Sequence, residues 1–170
     1  MKEFSDILIK IQKSEYLSRQ DIKFAYNFIL DGKANDIEIE DFLIGLNNKG
    51  ITIDDIICGV EVLREKSFKV EVPVDAIDTC GTGGDNSGTF NISTAVTFVA
   101  AGAGAIVAKH GNRALSSKSG SSQVLEELGI NINIKPNKIS DCINKSNVGF
   151  MFAPNHHSAM KYVGPIRQKL

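Results

Sequence analysis

The spacing of apolar residues changes once along this sequence, near residue 68, and that change limits the possible folds more than any other feature. Before it, apolar side chains recur at three- and four-residue steps in four short segments, which predicts four helices. Ser18 and Thr52 are expected to cap the second and fourth of these helices. After residue 68, short apolar runs alternate with helical segments, which predicts an α/β fold with a largely parallel sheet.

The order of these segments predicts the domain organisation. We expect strands over residues 76–80, 105–108, 130–134 and 148–152, and helices over residues 91–103, 119–128 and 137–145. We expect an all-α helical domain over residues 1–68, an α/β domain with helices flanking its sheet over residues 69–155, and the start of helices returning toward the helical domain over residues 156–170. Three or four strands make a thin sheet, so we expect the sheet to be incomplete in this chain.

Composition indicates a globular protein and excludes several classes. Of the 170 residues, 42% are hydrophobic and 23% are charged, which argues against a collagen-like or disordered chain. No apolar run reaches the length of a membrane span, and acids near the N-terminus argue against a signal peptide, so a cytoplasmic protein without a membrane partner is expected. Cys58, Cys80 and Cys142 match no CxxC spacing, which argues against a zinc site or a disulfide framework and favours buried, reduced thiols.

Charge is distributed unevenly along the chain, although its net value is only −1. Residues 1–80 hold ten Lys and Arg against sixteen Asp and Glu, whereas residues 81–170 hold nine against four. Eight of the fifteen glycines lie in residues 81–120, and that stretch contains a single acid, Asp85. A glycine-rich, locally cationic stretch indicates a bound anion. The sequence has neither a basic run nor an aromatic-rich basic patch, so nucleic acid is not expected as a partner.

A glycine-rich loop follows the first predicted strand and leads into the helix that begins near Asn91. Its sequence, from Asp78 onward, is DTCGTGGDNSGTFNIST. Glycines let backbone N–H groups approach an oxyanion, and a helix N-terminus adds aligned donors and partial positive charge. The loop is neither a Walker A motif nor the dinucleotide-binding GxGxxG, because no Gly-Lys-Ser/Thr follows and Asn86 stands at the third glycine position. Alone, such a loop serves tight packing about as often as it binds a ligand.

A second polar loop follows the next predicted strand. It begins with Lys109-His110-Gly111-Asn112-Arg113 and continues to Ser121. Ligands of open α/β sheets bind outside the carboxyl ends of the strands. The two loops, one rich in donors and one cationic, are therefore predicted to form a single anion site.

Four motifs in this region occur in an order and spacing that resemble one family. They are GTGGD from Gly81, NIST from Asn91, KHGNR from Lys109 and SSKSGS from Ser116, with FAPNHHSAMK and PIR farther along the chain. Ordered motifs are far more specific than any one of them alone. Over its whole length the sequence resembles the anthranilate phosphoribosyltransferase family. The resemblance implies transfer of a phosphoribosyl group from phosphoribosyl pyrophosphate (PRPP) to the amine of anthranilate, with release of pyrophosphate, in tryptophan biosynthesis.

The resemblance also implies roles for individual residues. PRPP would be bound by Gly81, Gly84, Asp85, Thr89, Asn91, Ile92, Ser93, Thr94, Lys109, His110, Gly111, Asn112, Arg113, Ser117 and Ser121. Anthranilate would be bound by Gly81, Asn112, His157 and Arg167. Ser93 would contact one Mg²⁺, Lys109 would stabilise the charge of the departing pyrophosphate, and the helical domain would form a homodimer. No nucleophile paired with a base is recognisable, so the expected catalysis is electrostatic.

The sequence departs from the family pattern in three places. Ser122-Gln123 and His157-Ser158 stand where the family has Ala-Asp and His-Pro. The family's Asp-Glu pair for a second Mg²⁺ has no match in a corresponding context among these residues. We therefore expect this length of chain to be poorly active by itself.

Three alternative functions remain open from the sequence. A pyrimidine nucleoside phosphorylase has the same architecture and a similar anion loop, but it would use phosphate and a nucleoside. A non-catalytic relative would bind anions or nucleic acid. The third alternative is a helical dimerisation module joined to an inert α/β segment.

Overall fold

Two units make up the structure, a computed structural model in which residues 3–81, 90–114 and 119–170 are described. The helical unit comprises Met1–Ser67 with His157–Leu170, and the α/β unit comprises Phe68–His156. The predicted fold class, an α/β protein with an N-terminal all-α domain, is confirmed.

Helices predominate among the described residues. In chain order the elements are α1 (Phe4–Gln12), α2 (Arg19–Leu30), α3 (Asp36–Lys49), α4 (Ile53–Lys66), α5 (Ile92–Gly102), β1 (Val107–Gly111), α6 (Ser121–Glu127), α7 (Pro136–Ser146), β2 (Val148–Phe152), α8 (Ala153–His156), a 3₁₀ helix (Ser158–Tyr162) and α9 (Gly164–Lys169). Of the helices within these ranges, none combines the length and the apolar character needed to cross a membrane.

Reciprocal hydrogen bonds begin three helices of the helical unit. At α2, the Ser18 hydroxyl accepts from the backbone N–H of Asp21, and the Asp21 carboxylate accepts from that of Ser18, each at 3.1 Å. Thr52 and Asp55 form the same arrangement at α4, so both predicted caps are confirmed. α3 begins in the same way at Asn35. Each pair satisfies N–H groups that helix geometry leaves without a backbone partner.

Apolar side chains of the helical unit form one continuous core. Phe42 is fully buried, and the ring of Phe4 stacks on that of Phe28 with 4.8 Å between centroids. Val163 and Ile166, which lie far along the chain, join the same cluster. Its other buried members are Ile7, Ile11, Leu17, Ile22, Ala25, Ile29, Leu30, Ile39, Leu46, Cys58 and Val62.

A buried ion pair joins the end of α3 to the start of α4. Lys49 Nζ lies 3.1 Å from Asp55 Oδ2, and both side chains are buried. Burial by itself raises the pKa of the Asp55 carboxyl, but hydrogen bonds from Thr52 and Lys49 outweigh it and hold the pKa below its ordinary value. The carboxylate therefore stays charged in the folded protein, where it caps α4 and neutralises Lys49.

The two strands of the α/β unit pair in parallel. Val107 lies opposite Val148, and Gly111 lies opposite Phe152. α6 and α7 lie between the strands in the sequence, which is the long connection that parallel pairing requires. The predicted strand at 148–152 is confirmed. Small buried clusters lie around this sheet, one formed by Ala108, Ile139 and Ile143, the other by Leu125, Ile132 and Phe152.

The strand predicted for residues 76–80 is wrong in extent. The segment contributes one parallel bridge, between Ile77 and Val107. Immediately afterward the Asp78 carboxylate accepts the backbone N–H of Cys80 at 3.0 Å. A local hydrogen bond of this kind turns the backbone and competes with strand pairing.

The strand predicted for residues 130–134 is also wrong, because these residues form no strand. The side chain of Asn131 accepts the backbone N–H of Asn133 at 2.9 Å. Local side-chain bonding again replaces a sheet ladder, although the alternating Ile and Asn residues resemble a half-buried strand.

The expectation of buried thiols holds for one cysteine and is wrong for two. Cys58 is buried in the helical core, whereas Cys80 and Cys142 are exposed. On α7 the buried positions are Ile139 and Ile143. Cys142 precedes Ile143 by one residue, about 100° around the helix, so it lies off the buried face.

Candidate functional site

The two candidate loops begin at one edge of the α/β unit. The Ile77 N–H donates to the Ile106 carbonyl at 2.8 Å, and the Ala108 N–H donates to the Ile77 carbonyl at 2.9 Å. This parallel bridge sets the chain after Ile77 beside the end of β1. The structure thus brings together the start of the glycine-rich loop and the end of β1. The strand predicted for residues 105–108 is wrong in its bounds, because β1 runs from Val107 to Gly111 and the pairing with β2 includes Lys109, His110 and Gly111.

Asp78 links the starts of these two loops. Its Oδ1 atom accepts the backbone N–H of Cys80 at 3.0 Å and that of His110 at 3.2 Å. One carboxylate oxygen therefore fixes the backbone of both segments. Sequence reasoning did not single out Asp78. The available signal was an acid directly after an apolar strand residue and shortly before a glycine-rich loop.

Hydroxyl groups attach the first loop to α5. Thr79 Oγ1 donates to the Ser93 carbonyl at 3.0 Å and lies 2.8 Å from Thr97 Oγ1. These contacts hold the first turns of α5 against the end of the preceding segment. Thr79 and Thr97 are further site-forming residues that the motif analysis missed.

Asn91 defines the N-terminus of α5. Its side-chain oxygen accepts the N–H of Thr94 at 3.2 Å, and its amide nitrogen donates to the Ser119 carbonyl at 3.4 Å. The helix start is thus bonded to the segment that leads into α6. Helix N-termini favour negative charge, because their N–H groups and their dipole point toward a ligand.

Lys109 is the most unusual charged residue of the site. Only 1% of its surface is exposed. Within the ranges that the structure describes, no carboxylate lies at ion-pair distance from its ammonium group. Burial lowers the pKa of Lys109, and the charges of Asp78 and Cys80 oppose that effect without cancelling it. A buried ammonium group of this kind gains more than an exposed one from an anionic ligand.

Lys109 and Thr94 line the same cavity, which has a volume of about 210 Å³. The Thr94 hydroxyl is buried and has no hydrogen-bond partner among the described residues. The remaining walls of the cavity are mostly apolar, with Thr97, Phe98, Leu125, Ile130, Asn131, Ile134, Cys142, Ser146, Val148, Gly149 and Phe150 around it.

The guanidinium of Arg113 is already paired. Its Nη2 atom lies 3.0 Å from Glu126 Oε1, and its Cζ lies 5.9 Å from the centre of the Phe152 ring. The Asn112 side chain accepts the N–H of Arg113 at 2.8 Å. Asn112 and Arg113 are both exposed, so of the cationic residues described in this loop only Lys109 is buried.

Gln123 draws the loop after β1 toward the start of α6. Its Oε1 atom accepts the N–H of Ala114 at 3.1 Å and that of Gly120 at 2.9 Å. A Cβ on Gly120 would lie 2.3 Å from the Ala114 nitrogen, so only glycine allows this approach. Ser121, the first residue of α6, is placed next to this junction.

The remaining candidate residues are distributed over both units. Gly81, Ile92, His110 and Gly111 lie in the α/β unit, whereas His157 and Arg167 lie in the helical unit. His157 precedes the 3₁₀ helix, and Arg167 is exposed on α9. Gly84, Asp85, Thr89 and Ser117 lie outside the described residues.

The Cys80 thiol has a perturbed environment. Burial raises its pKa, and Asp78 raises it further through its charge and a side-chain hydrogen bond, whereas Lys109 acts in the opposite direction.

Ser93 is the residue that the family resemblance assigns to Mg²⁺, and its position fits that ion. Mg²⁺ prefers oxygen ligands and keeps several waters while it binds phosphate oxygens. Ser93 Oγ lies 3.8 Å from the position that a Cβ on Gly81 would occupy. The hydroxyl oxygen is thus close to the start of the glycine-rich loop.

Two family models match the chain. The model described as glycosyl transferase family, helical bundle domain, matches residues 5–67, and the model described as glycosyl transferase family, a/b domain, matches residues 73–170. Curated anthranilate phosphoribosyltransferases from Rhizobium etli and Xanthobacter autotrophicus are 48% and 46% identical to this chain. Each match covers 100% of this chain, and 50% and 49% of the respective relative.

The solved structures that resemble this chain are also anthranilate phosphoribosyltransferases. The anthranilate phosphoribosyltransferase from Thermus thermophilus is 33% identical, with a TM-score of 0.86 over 96% of this chain and 50% of that one. The enzyme from Saccharomyces cerevisiae in complex with PRPP and Mg is 25% identical, with a TM-score of 0.82 over 98% of this chain and 50% of that one. The chain spans about half the length of the relatives it matches.

Proposed function

This chain belongs to the glycosyl transferase family through both its helical bundle and its α/β domain, and we propose that it serves phosphoribosyl transfer from PRPP to anthranilate in tryptophan biosynthesis. The names of its relatives support this reaction. The observation that carries the proposal is the buried ammonium group of Lys109, which lies on β1 near Asp78 and Cys80 and has no carboxylate at ion-pair distance among the described residues.

In the proposed reaction, the amine of anthranilate attacks C1 of the ribose from the face opposite the diphosphate. A C–N bond forms, the C–O bond to pyrophosphate breaks with inversion, and the amine releases a proton to solvent. Ribose gains oxocarbenium character while negative charge develops on the leaving group. The protein's contribution is therefore to stabilise that charge and to align the amine.

The diphosphate is proposed to bind at the N-terminus of α5 and at the glycine-rich loop. Backbone N–H groups and the hydroxyls of Ser93 and Thr94 supply donors, and Lys109 supplies a positive charge in a dry environment. Mg²⁺, held by Ser93 and by the diphosphate oxygens, would neutralise part of the charge on the leaving group.

Within the α/β unit, anthranilate is proposed to contact Gly81 and Asn112, the residues that the family resemblance assigns to it there. Asn112 presents an exposed amide directly after β1.

A cytoplasmic homodimer is proposed as the form in which the chain works. The helical unit exposes apolar side chains on α3 and α4 beyond those in its core, among them Ile37, Ile44, Ile53, Ile56 and Val60. Surfaces of this kind are typical of protein interfaces. Sedimentation equilibrium should give twice the mass of the chain, and replacing Ile53 and Ile56 with Glu should return it to a monomer.

Replacing Lys109 with Ala tests the PRPP site. We expect PRPP affinity, measured by calorimetry with Mg²⁺ present, to fall about tenfold to a hundredfold, because a charge-assisted contact is worth about 1.5–3 kcal/mol. Lys138→Ala is the matched control, since Lys138 is exposed on α7 in the same unit and pairs with Asp141. Equal affinity in the parent protein and Lys109→Ala, with unchanged melting temperatures, would contradict the proposed site.

Following the fluorescence of anthranilate tests the reaction. We expect slow consumption of anthranilate that requires both PRPP and Mg²⁺. Cleavage of a pyrimidine nucleoside by phosphate, with anthranilate left unchanged, would instead establish the phosphorylase alternative. Rapid turnover by this length of chain alone would contradict the expectation that it is poorly active.

A further inference from the structure

Three potential metal ligands of different chemistry lie together where the two loops begin. One ligand atom each from Asp78, Cys80 and His110 lies within 4.8 Å of the other two. Asp78 and Cys80 follow the bridge at Ile77, and His110 belongs to β1. The parallel pairing therefore holds the three residues side by side, although they are 32 positions apart at the extremes.

We propose that Asp78, Cys80 and His110 form a binding site for a borderline-soft divalent metal ion, zinc above all. Carboxylate, thiolate and imidazole are the ligands that zinc takes in proteins, and three protein ligands leave a fourth position for water or another ligand. The proposal does not depend on phosphoribosyl transfer, and it concerns residues other than the one assigned to Mg²⁺.

The orientation of Asp78 favours a metal. Its Oδ1 atom accepts the backbone N–H groups of Cys80 and His110, which orients the carboxylate beside the other two proposed ligands. Ligands that are held in place by hydrogen bonds bind metals more tightly than mobile ones. Here the backbone of the other two proposed ligands supplies those bonds, so the three residues are oriented as a group.

The distances require a small closure. With zinc–ligand bonds of about 2.0–2.3 Å in tetrahedral geometry, ligand atoms lie roughly 3.4–3.6 Å from one another. The present separations, up to 4.8 Å, shorten by about an ångström if the exposed side chain of Cys80 rotates toward the Asp78 carboxylate and the His110 ring.

The ligand set distinguishes this site from the Mg²⁺ position. Mg²⁺ prefers hard oxygen ligands, whereas a thiolate and an imidazole favour zinc, cobalt or copper. On binding, the Cys80 thiol loses its proton to solvent and a metal–sulfur bond forms, with no change in oxidation state. The positive charge of Lys109, which lies nearby, would repel a metal ion. The negative charges of the Asp78 carboxylate and the Cys80 thiolate offset that repulsion.

Cobalt titration tests the proposal directly. Adding Co²⁺ to the full chain should produce a near-ultraviolet thiolate-to-cobalt charge-transfer band that saturates at one equivalent and is displaced by Zn²⁺. The band should be lost in Cys80→Ser and kept in Cys142→Ser, the matched control, because Cys142 is also an exposed thiol of the α/β unit. Absence of the band in the parent protein, or its persistence in Cys80→Ser, would overturn the proposal.

Alkylation of cysteines in the parent protein gives a second test, which does not require any variant to fold. Iodoacetamide labelling, mapped by peptide mass spectrometry, should be slowed by Zn²⁺ at Cys80 and unchanged at Cys142. Mg²⁺ at the same concentration should protect neither thiol. Equal labelling of Cys80 with and without Zn²⁺, or equal protection by Mg²⁺, would refute a zinc-selective site.

Discussion

The two units differ in how completely they bury their apolar side chains. Fifteen buried side chains form a single cluster in the helical unit, whereas the described part of the α/β unit has two clusters of three. Along α5, Ile92, Val96 and Val99 are exposed. The candidate site lies mostly in the unit with the smaller cores. Binding loops are drawn from the less stable parts of proteins, so we expect the helical unit to contribute most of the stability and the α/β unit most of the candidate site.

Removing a ring from the helical core should have the largest effect. Phe42→Ala is expected to cost about 3–5 kcal/mol of unfolding free energy, since Phe42 is fully buried and the cavity would not be refilled. Denaturant unfolding followed by circular dichroism measures it. Phe90→Ala, at an exposed position of the α/β unit, should cost less than about 0.5 kcal/mol. Similar losses in both variants would remove the contrast between the units.

Breaking the buried ion pair between Lys49 and Asp55 should cause the next largest loss of unfolding free energy. Asp55→Ala is expected to cost about 3 kcal/mol, because it removes the carboxylate that accepts the backbone N–H of Thr52 at the start of α4 and leaves Lys49 buried without its partner. Asp54→Ala is the control. Asp54 pairs with Arg19 at the surface, so its loss should cost less than about 1 kcal/mol.

The same pair predicts a dependence on pH. The folded pKa of Asp55 lies below its ordinary value, so its contribution to stability is complete above the unfolded pKa, near 4, and is lost as the pH falls through the folded pKa. The parent protein should therefore lose more stability on acidification below about pH 4 than Asp55→Ala does. Parallel curves for the two proteins would show that Asp55 is not the titrating group.

In the α/β unit, a substitution where β2 contacts α7 should lower the unfolding free energy by a smaller amount. A Cβ on Gly149 would lie 2.6 Å from Ile143, so Gly149→Ala should cost about 1–3 kcal/mol through displaced packing. Hydrogen exchange of α7 amides should rise in the variant. Gly164→Ala has open space around the new methyl group, and unchanged exchange in α7 is expected there. No effect of Gly149→Ala would mean that this contact is loose.

Polar substitution on α5 should have the smallest effect. Val99→Ser is expected to change the unfolding free energy by less than about 0.5 kcal/mol, because the side chain is exposed. Val62→Ser, at a buried position of α4, should cost about 2 kcal/mol or more, since it buries a hydroxyl in an apolar core. A large loss in Val99→Ser would show that another surface covers α5 in solution.

Local signals explain which parts of the fold were predictable. Ser18 and Thr52 cap helices through residues three positions away, so short motifs were sufficient. The strand at Val148–Phe152 was found because its apolar run is short and continuous. At Asp78 and Asn131, polar side chains bond to the backbone two residues later. The spacing of apolar residues carries no information about such bonds, so both strands were predicted wrongly.

The candidate site was predictable in position and less so in detail. Neighbouring parallel segments end at one edge of a sheet, so the approach of the start of the glycine-rich loop to the end of β1 followed from the order of the predicted strands. The pairing of Arg113 with Glu126 could not be anticipated, because it joins residues thirteen positions apart on different elements. The approach of His110 to Asp78 likewise depends on tertiary pairing, which the cysteine spacing does not encode.

Val163 and Ile166 complete the helical core although about ninety residues of the α/β unit separate them from α4. A ribosome adds roughly 5–20 residues per second, so the first four helices wait on the order of five to twenty seconds before these side chains are synthesised. During that interval the nascent bundle presents an apolar gap where α9 will later pack. A chaperone that recognises apolar segments would therefore find a binding surface on the N-terminal helices until Val163 and Ile166 are synthesised.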